Sequence, residues 1–223
     1  MRSVLKSVFP ALGLTLALGA GPAWSFNLGL NGWLPLGDVS LQATDLLLTT
    51  AYVDGVDDET GNLSGLSAVP AATLEAFAGL APLALDLSAS DYATEGSIAL
   101  RSLTVQAGDT LRLHWSFSSQ DASFADHAFV VIGSDVLSLA NALQAPAGPR
   151  TLVYTFATGG SVLLAAGVVD SVDTLGVSTL RISGFEVSPV PEPASLSLSL
   201  AGLSLMAGLL RLGARPHKPN QPN

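Results

Sequence analysis

Oxygen donors crowd one stretch of this chain. Asp54-Gly55-Val56-Asp57-Asp58-Glu59-Thr60-Gly61-Asn62 places four carboxylates, a hydroxyl and an amide in nine residues between two apolar segments. Calcium takes six to eight hard oxygens from a flexible loop, so Asp54, Asp57 and Asp58 are candidate ligands. The spacing is not that of an EF-hand, which needs oxygens at its first, third and fifth positions, and an acidic surface loop without metal is the other reading. Asp170 and Asp173 form a sparser pair, better suited to shaping a turn. Asp126-His127 with Ser134 supplies the residue types of a hydrolytic triad. A triad is a spatial constellation, however, and no serine lies in a Gly-x-Ser-x-Gly elbow. His-Glu-x-x-His, a P-loop and Gly-x-Gly-x-x-Gly before a helix are all missing from the sequence. Trp33, in Gly32-Trp33-Leu34-Pro35, could stack on a sugar ring or pack beneath the first strand. The chain is therefore read as a non-enzyme, with no cofactor unless calcium sits at the acidic loop.

The elements that would position these residues lie between two delivery signals. Arg2 and Lys6 precede an apolar run from Val8 to Leu18, and Ala23-Trp24-Ser25 offers small residues for signal peptidase, so residues 1–25 read as a Sec-type signal peptide with Phe26 as the new N-terminus. Near the other end, Pro191-Glu192-Pro193 leads into the uncharged stretch Ala194–Leu210, then Arg211, Arg215 and Lys218. Seventeen residues at ~1.5 Å rise give roughly 25 Å, the short limit for a spanning helix. A soluble core helix would not end in a basic, proline-rich tail with nothing after it to pack against. The expected organisation is a signal peptide over 1–25, an exported domain over 26–188, a spacer over 189–193, a transmembrane helix over 194–210 and a basic cytoplasmic tail over 211–223.

The spacer, the Leu/Ser/Gly-rich span and the arginine cluster together resemble the PEP-CTERM sorting signal of exopolysaccharide-producing Gram-negative bacteria. The resemblance covers about thirty residues and assigns Pro191, Glu192, Pro193, Arg211 and Arg215 to the signal. It implies an exosortase-type membrane enzyme as processing partner, by a logic similar to that of GPI signals. It further implies an inner-membrane-anchored precursor that is released to the cell surface or extracellular matrix. The chain continues to Asn223, a longer ending than the family's pattern.

Residues 26–188 have length for one domain. With no cysteine in the sequence, disulfides and thiolate zinc are excluded. Four arginines and no lysine stand against seventeen Asp and Glu in this stretch, a net −13 against −9 for the whole chain. Such a charge disfavours nucleic acid and anionic polysaccharide, so a matrix partner would be a neutral exopolysaccharide or one bridged by divalent cations, the other reading being that acidity simply keeps an exported protein soluble.

Period-two alternation marks strands throughout this domain. Leu111, Leu113, Trp115 and Phe117 face one way over Thr110–Phe117, against Arg112, His114 and Ser116. Ser97–Val105 is expected to form a hairpin with it over Gln106-Ala107-Gly108-Asp109. A second hairpin is expected from Thr151–Phe156 and Ser161–Val169. Ala128–Ile132, Val177–Val187 with a bulge at Gly184, Val39–Leu41 and Asp45–Ala51 complete the strands, while Ala71–Ala78 and Val136–Leu143 read as short helices. The expected fold is all-β, a two-sheet sandwich of jelly-roll type. Gly32-Trp33, Gly37-Asp38-Val39, Glu95-Gly96-Ser97, His114-Trp115-Ser116-Phe117 and Gly167-Val168-Val169-Asp170 also resemble the ectodomain of many PEP-CTERM proteins. That domain is similar to jelly-roll carbohydrate-binding and discoidin-like modules. Two functions follow as expectations: a non-catalytic surface or matrix protein, or a lectin-like carbohydrate-binding module, possible with calcium.

Overall fold

The structure is a computed structural model and describes residues 26–27, 31–42, 44–53, 61–190, 202–204 and 206. The chain divides into two compact units, of which Ala23–Val190 is one. The other is described only at 202–204 and 206, which are helical. Among the described residues no helix is long and apolar enough to cross a membrane, and most of the expected span, like all of the expected signal peptide, lies outside them.

The strands are β1 (Phe26–Asn27), β2 (Leu34–Leu36), β3 (Asp38–Leu41), β4 (Leu46–Thr49), β5 (Val69–Pro70), β6 (Ala93–Val105), β7 (Thr110–Ser119), β8 (His127–Ile132), β9 (Asp135–Asn141), β10 (Arg150–Thr155), β11 (Gly160–Ser171) and β12 (Ser178–Ser188), with one α-helix, α1 (Ala71–Ala78). They build two antiparallel sheets. The front sheet runs β10-β7-β12-β4-β3, with β1 beside β12, and the back sheet runs β2-β6-β11-β8-β9, with β5 beside β6. The protein is thus an all-β sandwich, as the alternation implied.

Two apolar layers hold it. Between the sheets lie Leu46, Leu48, Leu111, Leu113, Trp115, Val130, Leu164, Leu180 and Phe185, all buried. A second layer, with Leu74, Leu85, Ile98, Phe129, Val131 and Ala165, covers the outer face of the back sheet beneath α1. The back sheet is therefore buried on both faces, which explains why β8 (HAFVVI) is apolar throughout after His127 and buried at every position. The front sheet is covered on one face only, and β7 alternates accordingly.

Three expectations are corrected. Ser97–Val105 and Thr110–Phe117 do not form a hairpin: β6 pairs with β11 in the back sheet and β7 with β12 and β10 in the front. Thr151–Phe156 and Ser161–Val169 likewise belong to opposite sheets, as β10 and β11. Alternation reports that one face is buried but not which sheet buries it, and a short turn can step across the ~10 Å between sheets as readily as it closes a hairpin. Val136–Leu143 is not a helix. It is β9 followed by a 3₁₀ turn at Ala142–Gln144, because pairing with β8 (Val131↔Val136, Val130↔Leu137) overrides local preference. The hairpin signal there was Gly133-Ser134, a two-residue loop in which Gly133 takes φ +66°. At Gly184 the expected bulge is present, as a register shift between Ile182 and Gly184.

Candidate functional site

The acidic loop at Asp54, Asp57 and Asp58 lies outside the described residues, as do Pro191, Glu192, Pro193, Arg211 and Arg215. Among the described residues no cluster of three or more His, Asp or Glu is arranged to hold a metal ion. Trp33 is 5 % exposed. Its ring meets Phe185 edge to face at 5.7 Å and carries the Arg101 guanidinium 5.6 Å from its centroid, so both the neighbours and the burial shield it from stacking on a sugar. Arg101 also lies 5.4 Å from the Phe185 ring and burial lowers its pKa. It lines a cavity of about 350 Å³ together with Thr104, Gln106, Asp109, Val187 and Pro189.

Polar chemistry concentrates instead where β8 begins and β11 ends. Asp126, Asp170, Ser171 and Ser178 are wholly buried and His127 is 2 % exposed. The Ser171 backbone N–H donates to Asp126 Oδ1 at 3.0 Å, and Ser178 Oγ donates to Asp126 Oδ2 at 2.9 Å. His127 Nδ1 lies 3.4 Å from Ser171 Oγ, which donates to the Ala125 carbonyl at 3.1 Å. The following residue, Val172, holds φ +72°, a costly conformation for a β-branched side chain. It is fixed by its own N–H donating to the Tyr92 carbonyl and by Tyr92 Oη donating to the Val172 carbonyl. Asp173 shapes the turn, with Oδ1 accepting from Leu175 N–H.

This constellation contains the residue types of a triad but not its geometry. Ser134 sits beyond the far end of β8 from His127, so the set Asp126, His127 and Ser134 is not assembled. The serine that does reach His127 is Ser171, whose hydroxyl is turned to a carbonyl and sealed from solvent. Sequence reasoning missed Ser171 and Ser178 as partners, because they come from 44–52 residues away and no local spacing marks them.

Electrostatics make the cluster pH-sensitive. Burial pushes the Asp126 carboxyl up to about 6 from 3.8, against the opposing bonds from Ser171 and Ser178 and with further upward pressure from Asp121. Burial lowers His127, against its bonds to the Ala125 and Leu85 backbone and the charge of Asp86. Because the folded protein holds the Asp126 proton more tightly than the unfolded chain, its contribution is full below 3.8 and is lost as pH rises through about 6. His127 acts oppositely, costing stability as pH falls below its unfolded value of 6.5. Asp126→Asn isolates the first effect: the amide mimics the protonated acid and Ser178 can turn to accept from it. Its melting temperature relative to the natural protein is expected to climb steadily between about pH 4 and about pH 7. A difference that is flat, or that falls with pH, would show that Asp126 does not carry this proton.

The same use of carboxylates recurs across the fold. Glu75 Oε2 and Oε1 accept from the Leu83 and Leu85 N–H groups at 3.0 Å each. Asp109 accepts from Gln106 N–H at 2.8 Å and from Val190 N–H at 3.2 Å. Asp86 accepts from Ala93 N–H at 2.9 Å. In a chain without cysteine, charge-assisted bonds to loop backbone are the ties that fix these loops.

No family model matches this chain, and no curated protein matches it. Among solved structures, it is similar to the N-terminal cellulose-binding domain of a β-1,4-glucanase from Cellulomonas fimi. The likeness covers 71 % of this chain and 90 % of that one at 11 % identity, with a TM-score of 0.33.

Proposed function

We propose that this chain is an exported, non-catalytic β-sandwich of jelly-roll type, delivered by a signal peptide and carrying a PEP-CTERM sorting signal on which an exosortase-type enzyme acts. The observation that carries the reading is where the folded unit stops. The last strand ends at Ser188, and the final tie is the Val190 N–H donated to Asp109 Oδ1. The compact unit ends at Val190, one residue before Pro191-Glu192-Pro193. Two prolines cannot continue a strand ladder or enter a helix interior, so the spacer begins where the sandwich has no more backbone to pair. Every strand of the sandwich lies before the spacer.

In this reading the protein is the substrate of processing, first as an inner-membrane precursor and then at the surface or in the matrix of a Gram-negative bacterium. It brings no cofactor, and its net negative charge suits a neutral exopolysaccharide better than an anionic one. Burial of Asp126, His127 and Ser171 supports a structural or interaction role for the domain over hydrolysis.

Intact mass measured on the protein from its own host, with and without Glu192→Ala, tests the reading. The natural chain is expected to begin at Phe26 and end near Pro191, while the variant keeps its tail. A tail retained by both would make Ala194–Leu210 a permanent anchor and remove the exosortase from the account.

A further inference from the structure

Each edge of a β-sheet presents unpaired backbone groups that natural proteins blunt with prolines, charges, bulges or brevity. Three edges of this sandwich do so. β2 has three residues with Pro35 at its centre, β3 has four, and β9 starts at Asp135 and is broken from its partner's register between Ala128 and Phe129. The fourth does not. β10, Arg-Thr-Leu-Val-Tyr-Thr, pairs with β7 in unbroken register from Arg150↔Trp115 to Thr155↔Thr110. It holds no proline, glycine or carboxylate, its one charge is Arg150 at the first position, and among the described residues no strand lies on its other side. Val153, at its centre, is 51 % exposed.

We infer that β10 is an interface at which a second copy of this chain adds its own β10, antiparallel, to extend the front sheet. The register that centres the two-fold axis on Val153 keeps every face in order. Val153 meets Val153, Leu152 meets Tyr154, and Thr151 meets Thr155. Leu152 and Tyr154 already pack, partly buried, on the rim of the inter-sheet core, so the partner's pair continues that core rather than opposing it with polar groups. Outward, Val153 and the two threonines give β-branched cross-strand pairs suited to a pleated surface.

Acidic repulsion does not bar two copies from meeting at this edge. Two copies of a domain with net −13 repel one another over most approaches. β7 and β10 together carry Arg112, His114 and Arg150 and no carboxylate, so no acidic side chains are brought together here, and Arg150 of each copy falls opposite Phe156 rather than a cation. No like charges stand directly opposite in the proposed register.

Sedimentation of the full-length chain at ~10 µM, a range in which specific interfaces of modest size are occupied, provides the first test. The natural chain is expected as a dimer and Val153→Lys as a monomer, with association weakened at least about tenfold, an unchanged far-UV circular dichroism spectrum and a melting temperature that no longer rises with protein concentration. Leu175→Lys, at an exposed loop residue, should leave the dimer in place. A second measurement uses the absence of cysteine from the sequence. Residues facing each other across an antiparallel pair have Cα atoms about 4.5–5.5 Å apart, within the span of a disulfide. Val153→Cys should therefore cross-link to itself on mild oxidation, and Leu175→Cys should not. A monomeric natural chain, a Val153→Lys variant that still dimerises, or equal cross-linking at both positions would overturn the inference.

Discussion

Asp38→Ala is expected to destabilise the sandwich by about 3–5 kcal/mol, among the largest losses that a single side chain can cause. The carboxylate is wholly buried, yet it has no cation beside it among the described contacts; its charge is met by donors. Oδ1 accepts from Ser64 N–H at 2.7 Å and Ser64 Oγ at 2.6 Å, and Oδ2 from Leu63 N–H at 3.0 Å and from the Thr49 hydroxyl. Hydrogen bonds to a charged group contribute roughly 1.5–3 kcal/mol each, and removal of the acceptor also strands the donors. For a domain of this size that loss corresponds to a fall in melting temperature of roughly 10–15 °C. The damage should be local first: amide exchange at Leu63, Ser64 and Gly65 should rise before exchange in β11 does, because Asp38 is what ties that loop to the β3–β4 edge. Asp38→Asn, which keeps one acceptor, should fall between the two. Asp135→Ala, at an exposed carboxylate, should change stability by less than about 0.5 kcal/mol. If Asp38→Ala matched Asp135→Ala, the loop-tying role assigned to buried carboxylates would be wrong.

That role was not legible in the sequence. A surplus of acidic residues reads naturally as a solvated surface, yet Asp38, Asp45, Glu75, Glu95, Asp109, Asp126 and Asp170 are all buried. Asp38 finds its donors 25 and 26 residues onward, and Asp126 finds its own 45 and 52 residues onward. Only the closed fold brings those segments together, so no spacing rule could have paired them. What the sequence did carry was the period of each strand, since alternation follows from one buried face: Leu111, Leu113, Trp115 and Phe117 are all buried, as their spacing required. Sheet membership was harder to read, because β7 alternates whether it pairs with β6 or with β12, while β6 is buried on both faces over Glu95–Leu100 and alternates only beyond it. Trp33 shows the same limit at a candidate site. An aromatic in a Gly-Pro-rich loop has one appearance in sequence, whether it faces solvent or Phe185.

The most severe backbone effect is expected at a residue with ordinary dihedrals, where no turn demands glycine. Gly96 lies in β6 opposite Val69 of β5 on one side and Val169 of β11 on the other. A Cβ added there would run into the Val168 carbonyl oxygen, with Val169 Cα at 2.8 Å and the Val168 carbonyl carbon at 2.9 Å. All three are backbone atoms of β11, the central strand of the back sheet, which β6 and β8 clamp from either side and apolar layers cover on both faces. A flexible side chain could swing aside; this strand cannot move without breaking its ladders and opening voids in two layers. Gly96→Ala is therefore expected to cost more than about 4 kcal/mol, beyond the usual 1–3 kcal/mol of overpacking, and to lower the urea midpoint severely or prevent folding. Gly133→Ala is the comparison. It meets nothing within 4 Å and strains only its φ of +66°, at about 1–2 kcal/mol. Denaturation midpoints that place Gly133→Ala at or below Gly96→Ala would mean that β11 yields, and that the back sheet is held less rigidly than its double burial implies.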